Sequence, residues 1–78
     1  MLLVDVVIRQ EFLGSEDDAD VSDWLVEDGS QVAEGQAVAE LETSKVLLQV
    51  AAPASGAITF LVAKGDLVAP NTVIARIE

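Results

Sequence analysis

The sequence predicts an all-β fold, a small sandwich or flattened barrel assembled from two copies of one unit. Three observations point there. First, Trp24 to Glu42, WLVEDGSQVAEGQAVAELE, aligns without a gap on Phe60 to Glu78, FLVAKGDLVAPNTVIARIE, at a constant spacing of 36 residues, the separation of Trp24 from Phe60. Leu25/Leu61, Val26/Val62, Gly29/Gly65, Val32/Val68, Ala33/Ala69, Ala39/Ala75 and Glu42/Glu78 are identical, and Trp24/Phe60, Gly35/Asn71, Val38/Ile74 and Leu41/Ile77 match in kind. Second, hydrophobic residues make up 51% of the chain and aromatic residues only 4%, so the core must be built from Val, Leu, Ile and Ala, a palette that suits strands packed face to face. Third, no long stretch sustains a helical period, and turn signals recur along the whole chain.

The elements follow in order. Leu3 to Arg9 is a continuous β-rich stretch, and the acidic segment Gly14 to Asp18 after it reads as a surface loop. Val21 to Glu27 resumes a strand, and Asp28-Gly29 turns it, because glycine reaches positive φ without a steric cost. Val32 marks a short strand, Glu34-Gly35 turns again, and Ala37 to Glu42 forms the next strand with Val38 and Leu41 as apolar contributors. The polar turn Thr43-Ser44-Lys45 joins the two halves. Val46 to Ala51 is then a strand closed by Pro53 to Gly56, since proline cannot donate to a ladder. Ala57 to Ala63 answers Val21 to Glu27, Lys64-Gly65-Asp66 stands where Asp28-Gly29-Ser30 stood, Pro70-Asn71 replaces Glu34-Gly35, and Val73 to Ile77 closes the set. Under an approximate two-fold, Glu42 and Glu78 end equivalent strands at opposite poles, which leaves Lys45 at a free hairpin tip far from the C-terminus.

Composition narrows the function. At 78 residues the chain has the size of one small domain, 1–78, whose single core must suffice. Fourteen acidic against four basic side chains give a formal net charge of −10, which opposes nucleic acid and anionic lipid and disfavours self-association. Without cysteine or histidine there is no thiolate nucleophile, no imidazole base, no thiolate or imidazole metal site and no disulfide framework. What remains as possible chemistry is carboxylates, hydroxyls and two lysines. No apolar run is long enough to cross a bilayer, and MLLVDVVIR, interrupted by Asp5 and lacking a basic leader, is not a signal peptide. A soluble protein of the cytoplasm, or of an organelle matrix in a eukaryote, is the expectation. Met1 reads as a natural start, and an ending flush with the last strand fits a whole product or an excised module alike.

Glu42-Thr43-Ser44-Lys45, preceded by Gly29-x-x-Val32-x-x-Gly35 and followed by Ala52-Pro53-Ala54-Ser55-Gly56, closely resembles the lipoyl domain family of the 2-oxo acid dehydrogenase complexes. The likeness covers about Val4 to Glu78 and includes Phe12-Leu13-Gly14 and Trp24-Leu25-Val26. It implies a flattened barrel-sandwich of two four-stranded antiparallel sheets with internal quasi-two-fold symmetry. It also implies lipoate in amide linkage on Lys45, with Glu42, Thr43, Ser44 and Val46 as the recognition turn and flanks. The implied partners are a lipoate ligase or lipoyl transferase and the decarboxylase, acyltransferase and dihydrolipoamide dehydrogenase components of such a complex. The loop Glu16, Asp17, Asp18 would lie beside the lysine turn and help those enzymes choose their carrier. Three positions depart from the family pattern: Ser44 stands where Asp is usual, Glu11-Phe12 where a Pro precedes the Leu-Gly pair, and Asn71 at the late Gly.

Other readings stand beside this one. Biotin carriers share the fold and typically flank their lysine with methionines, whereas here the flanks are Ser44 and Val46 and the sole Met is Met1, so lipoate is favoured. An unmodified barrel serving as an interaction module is the rival from another class. Lys64, in a glycine turn without the ETSK context, reads as a solvated residue, leaving one acceptor. The acidic group Glu16, Asp17, Asp18, Asp20 and Asp23 lacks the Gly and distal Glu of a calcium loop, so no metal site is expected. Trp24, paired with Phe60 by the repeat, reads as core or half-core packing, and Gly29, Gly35 and Gly56 as backbone requirements of turns.

The chemistry suits a hairpin tip. An ordinary lysine amine is protonated at neutral pH, so a modifying enzyme must deprotonate it inside its own site. The target then has to protrude on a rigid support, which two flanking strands provide.

Overall fold

The computed structural model describes residues 3–78; Met1 and Leu2, with the start and leader readings that rest on them, lie outside the described residues. Eight strands run in the order β1 Val4–Ile8, β2 Ala19–Trp24, β3 Gln31–Val32, β4 Ala37–Glu42, β5 Leu47–Ala51, β6 Gly56–Phe60, β7 Leu67–Val68 and β8 Thr72–Ile77, with one helical turn, α1 Gln10–Leu13, after β1. They form two four-stranded antiparallel sheets, ordered β1-β8-β6-β3 and β5-β4-β2-β7. Exchanging β1 with β5, β8 with β4, β6 with β2 and β3 with β7 converts one order into the other. The expected two-fold is therefore real, and it swaps whole sheets.

The register extends this symmetry beyond the sequence repeat. Val4, Asp5 and Val6 face Ile77, Arg76 and Ala75, while Leu48, Gln49 and Val50 face Leu41, Glu40 and Ala39, which lie 36 positions earlier in the chain. Thus β1 and β5 are two-fold mates although their sequences share no repeat. Both pairings skip one residue on the inner strand, Ile74 in β8 and Val38 in β4. Each skipped residue is a bulge that lets two neighbours turn inward where strict alternation would expose one, and Val38, Ala39, Ile74 and Ala75 are all fully buried. The carbonyls of the bulged residues accept the N–H groups of Leu25 and Leu61, each at 2.9 Å.

A third bulge explains where the gapless repeat begins. Asp23 and Trp24 face Glu40 and Ala39, but the next pair is Val21 with Leu41, so Ser22 is an extra residue that β6 lacks. Upstream of Ser22 the mates are accordingly one position further apart: Ala19 corresponds to Gly56 and Val21 to Ile58. The strands also end sooner than the sequence suggested, at Trp24 and Phe60 rather than Glu27 and Ala63, because Leu25 and Leu61 turn away to bond the bulged carbonyls.

The buried apolar residues form one cluster that obeys the two-fold. Val6/Val50, Ile8/Ala52, Val21/Ile58, Val32/Val68, Val38/Ile74, Ala39/Ala75 and Leu41/Ile77 are mates, and Ala19 is the mate of the buried Gly56. Leu13, 4% exposed, has none. Trp24 and Phe60 stack on each other with centroids 3.7 Å apart and planes 11° from parallel, which places the axis between them. The half-core packing expected of Trp24 is what the structure shows. At Gly56, φ is 151°, and a Cβ would stand 2.5 Å from the Glu78 carbonyl oxygen and 2.9 Å from Ile77 Cγ2, so only glycine lets β6 approach β8 this closely.

Candidate functional site

Residues Thr43 to Val46 join β4 to β5, and their amides can be accounted for one by one. Thr43 N–H donates to the Val46 carbonyl at 2.9 Å, while Thr43 Oγ1 accepts from the amides of Lys45 at 3.2 Å and Val46 at 3.0 Å. A threonine at the first turn position thus replaces backbone acceptors that a tight turn cannot offer. The Ser44 amide finds its acceptor outside the turn, in Glu16 Oε1 at 3.3 Å, and the Ser44 hydroxyl donates to the same oxygen at 2.6 Å. Lys45 is exposed, and among the described residues its side chain makes no hydrogen bond or ion pair. Val46 and Leu47 beside it are half-exposed, and Glu42 stands at the strand end between Asp20 and Leu47.

The contact with Glu16 sets the acidic surface loop against the lysine turn. Ile8 and Ala52 are mates, as are Ala19 and Gly56, yet 9–18 separate the first pair of chain positions and only 53–55 the second. The surplus is structured. The carbonyl of Arg9 accepts the amides of Phe12 and Leu13, Leu13 enters the core, and the Leu13 carbonyl accepts the amide of Glu16 at 3.2 Å. Gln10 Nε2 donates to the carbonyls of Gly14 at 3.0 Å and Glu16 at 3.2 Å. Glu16 is therefore held at its own N–H and C=O before its carboxylate reaches Ser44. Asp17 and Asp18 remain exposed, so the expected trio divides into one residue that touches the turn and two that face solvent.

Charge follows from the same contacts. The Ser44 hydroxyl is the main cause that lowers the Glu16 carboxyl below the ordinary glutamate range; partial desolvation opposes it, and the Ser44 amide and the Lys45 charge add to it. On the outer faces of the sheets, Arg76 pairs with Asp5 at 3.1 Å, while their two-fold mates are Glu40 and Gln49. The sheet that bears Lys45 is thus the more acidic one.

The other singled-out residues fall elsewhere. Gly29 and Gly35 have φ of 85° and 87° with open space around them, and Asn71, the mate of Gly35, adopts 69°, a left-handed conformation that asparagine tolerates. Lys64 is exposed in the turn before β7. A groove between the edge strands β1 and β5, lined by Val6, Ile8, Phe12, Val50 and Pro53 among others, takes no lining from 43–46. No group of three acidic, histidine or cysteine side chains able to hold a metal occurs among the described residues, and no helix is long and apolar enough to cross a membrane. Gln10 and α1 were missed from sequence, since four helical residues carry no period; the apolar pair Phe12-Leu13 was the sole local hint.

Comparison with known proteins bears on this geometry. The biotin and lipoyl attachment model, described as "Biotin-requiring enzyme", matches residues 12–77. The chain is 35% identical, over 100% of its length, to the dihydrolipoyllysine-residue succinyltransferase component of the 2-oxoglutarate dehydrogenase complex of Cupriavidus necator, of which it spans 19%. It is 38% identical over 55 residues, 70% of its length, to the acetyl-CoA carboxylase of Dictyostelium discoideum, of which it spans 2%. Its fold is similar to the solution structure of the lipoyl domain of the 2-oxoglutarate dehydrogenase complex from Azotobacter vinelandii, with TM-score 0.71, 27% identity, and 94% and 95% of the two chains covered.

Proposed function

The chain belongs to the biotin and lipoyl attachment family, and on that premise we propose that Lys45 carries lipoate in amide linkage as a swinging arm of a 2-oxo acid dehydrogenase-type complex. The observation that carries the reading is the hairpin itself. Its amides are all bonded, its two strands are fixed in a sheet, and its lysine amine is exposed and unpaired among the described residues. A modifying enzyme would meet a rigid support with a free nucleophile at its end. When bound, the lipoyl group supplies disulfide redox and acyl-carrying chemistry that a chain without cysteine lacks.

The domain contributes reach and address. Holding the attachment lysine on a small carrier raises the local concentration of the arm at each active site it visits. The enzymes it would visit are a decarboxylase, an acyltransferase and a dihydrolipoamide dehydrogenase, after loading by a lipoate ligase or lipoyl transferase. Support comes from the succinyltransferase relative, whose likeness runs the whole length of this chain, and from flanks of Ser44 and Val46 rather than methionine.

Biotin on the same lysine is the second reading, favoured by the acetyl-CoA carboxylase relative. Intact mass after co-expression with lipoate ligase, and separately with biotin ligase, separates the two. We expect the lipoyl mass increment alone, and its loss in Lys45→Arg with an unchanged thermal midpoint. A biotin increment alone, or a lipoyl increment that persists in Lys45→Arg, overturns the proposal.

A further inference from the structure

We infer that Glu16 is a positioning residue for Lys45, a latch that joins the surplus β1–β2 connection to the lysine hairpin so that enzymes meet the two as one body. The inference rests on the attachment reading above, but its physical basis is independent of it. Within 43–46 the Ser44 amide is the one backbone donor that the turn does not satisfy internally, and Glu16 Oε1 takes both that amide and the Ser44 hydroxyl. An acceptor 28 positions away in sequence has to be delivered. The delivery device is the surplus segment: α1 seats Leu13 in the core, and Gln10 and Leu13 then fix the backbone of Glu16 at its carbonyl and amide.

In the other half the equivalent connection is cut to 53–55 and has no counterpart of α1, Leu13 or Glu16. The surplus residues and the lysine turn occur together, at the same end of the same sheet, and one carboxylate connects them.

A latch has different consequences from a partner-reading charge. Asp17 and Asp18, exposed and unbonded to the turn, are the carboxylates free to meet a partner, and their effect should fade as salt screens it. The contribution of Glu16 is a short-range hydrogen-bonded one. It should survive salt, appear with every enzyme that acts on Lys45, and be recovered by any side chain that still accepts from Ser44.

The test uses the purified protein with lipoate ligase, lipoate and ATP, following the intact mass over a range of protein concentrations. Glu16→Ala is expected to raise KM about three- to five-fold with kcat within about two-fold, as for loss of one solvent-exposed positioning contact. Glu16→Gln should restore most of the loss, and the defect should be the same at low and high salt, whereas that of Asp17→Ala should shrink with salt. An unchanged KM in Glu16→Ala, or a defect that high salt abolishes, overturns the latch and leaves the carrier reading standing. Should the unaltered protein take neither lipoate nor biotin, the carrier reading falls and the latch is decided by the NMR titration of the Glu16 carboxyl. Ser44→Ala should then move its midpoint up toward that of an ordinary glutamate, and an unmoved midpoint overturns the latch.

Discussion

The connections that follow the mated residues Ile8 and Ala52 occupy equivalent places in the two halves and have been built in opposite ways. The second is three residues, Pro53 to Ser55, fastened by the Ser55 hydroxyl accepting the Glu34 amide at 2.9 Å. The first is ten residues, 9–18, with a helical turn, a buried leucine without a mate and a carboxylate laid against the lysine hairpin. Packing enforces the symmetric part, since each buried residue on one sheet must meet a complementary volume on the other. The lysine hairpin needs a support that the symmetric core does not supply, and the surplus residues sit at that end.

Equivalent core positions should respond equally. Leu41→Ala and Ile77→Ala, both at mated and fully buried sites, are each expected to lose about 2–5 kcal/mol in chemical denaturation, with the two values within about 1 kcal/mol of each other. A large difference would break the claim that the halves share one core on equal terms. Leu13→Ala sharpens the contrast. It should cost about 2–3 kcal/mol, less than the central pair because the loop above can settle, and should also perturb the Ser44 and Lys45 amide resonances, which the central variants leave in place.

A smaller effect separates Gly56 from its mate Ala19. Gly56→Ala drives a methyl onto the Glu78 carbonyl and should lower stability by about 1–3 kcal/mol, whereas Ala19→Gly should lower it by about 1–2 kcal/mol through chain entropy and the loss of one buried methyl. The smallest effect is proton-linked. Because the Glu16 carboxyl is lowered on folding, its contribution is complete above the unfolded-chain value of about 4.5 and is lost as pH falls through the lower folded value. Amide resonances of Ser44 and Lys45 should therefore shift in that acid range while those of Ala54 and Ser55 stay still; parallel movement at both connections would mean that general acid loosening, and not the latch, is being observed.

Much of this was legible in the residues because the repeat is written in apolar and glycine positions that the core and turns dictate. The lysine hairpin was found from the seam between repeats, and Gly35/Asn71 from the shared need for a left-handed turn. The equivalence of β1 and β5 was not legible, since it resides in register against β8 and β4 and not in side-chain identity. Nor was the Ser22 bulge, which displaces the repeat by one residue only upstream of Ser22 itself. The acidic segment was legible as a surface loop, but composition cannot tell Glu16 from Asp17. That distinction depends on Gln10 and Leu13 fixing one backbone and on a serine from a distant turn.

The Trp24–Phe60 stack has a practical consequence. The chain holds one tryptophan and no tyrosine, so its near-ultraviolet emission arises from a single indole lying against the ring contributed by the opposite half. Separation of the halves must unstack that indole whichever one loosens first. One optical signal therefore gauges their docking directly, and a second, slower phase in its refolding trace would reveal halves that assemble before they meet.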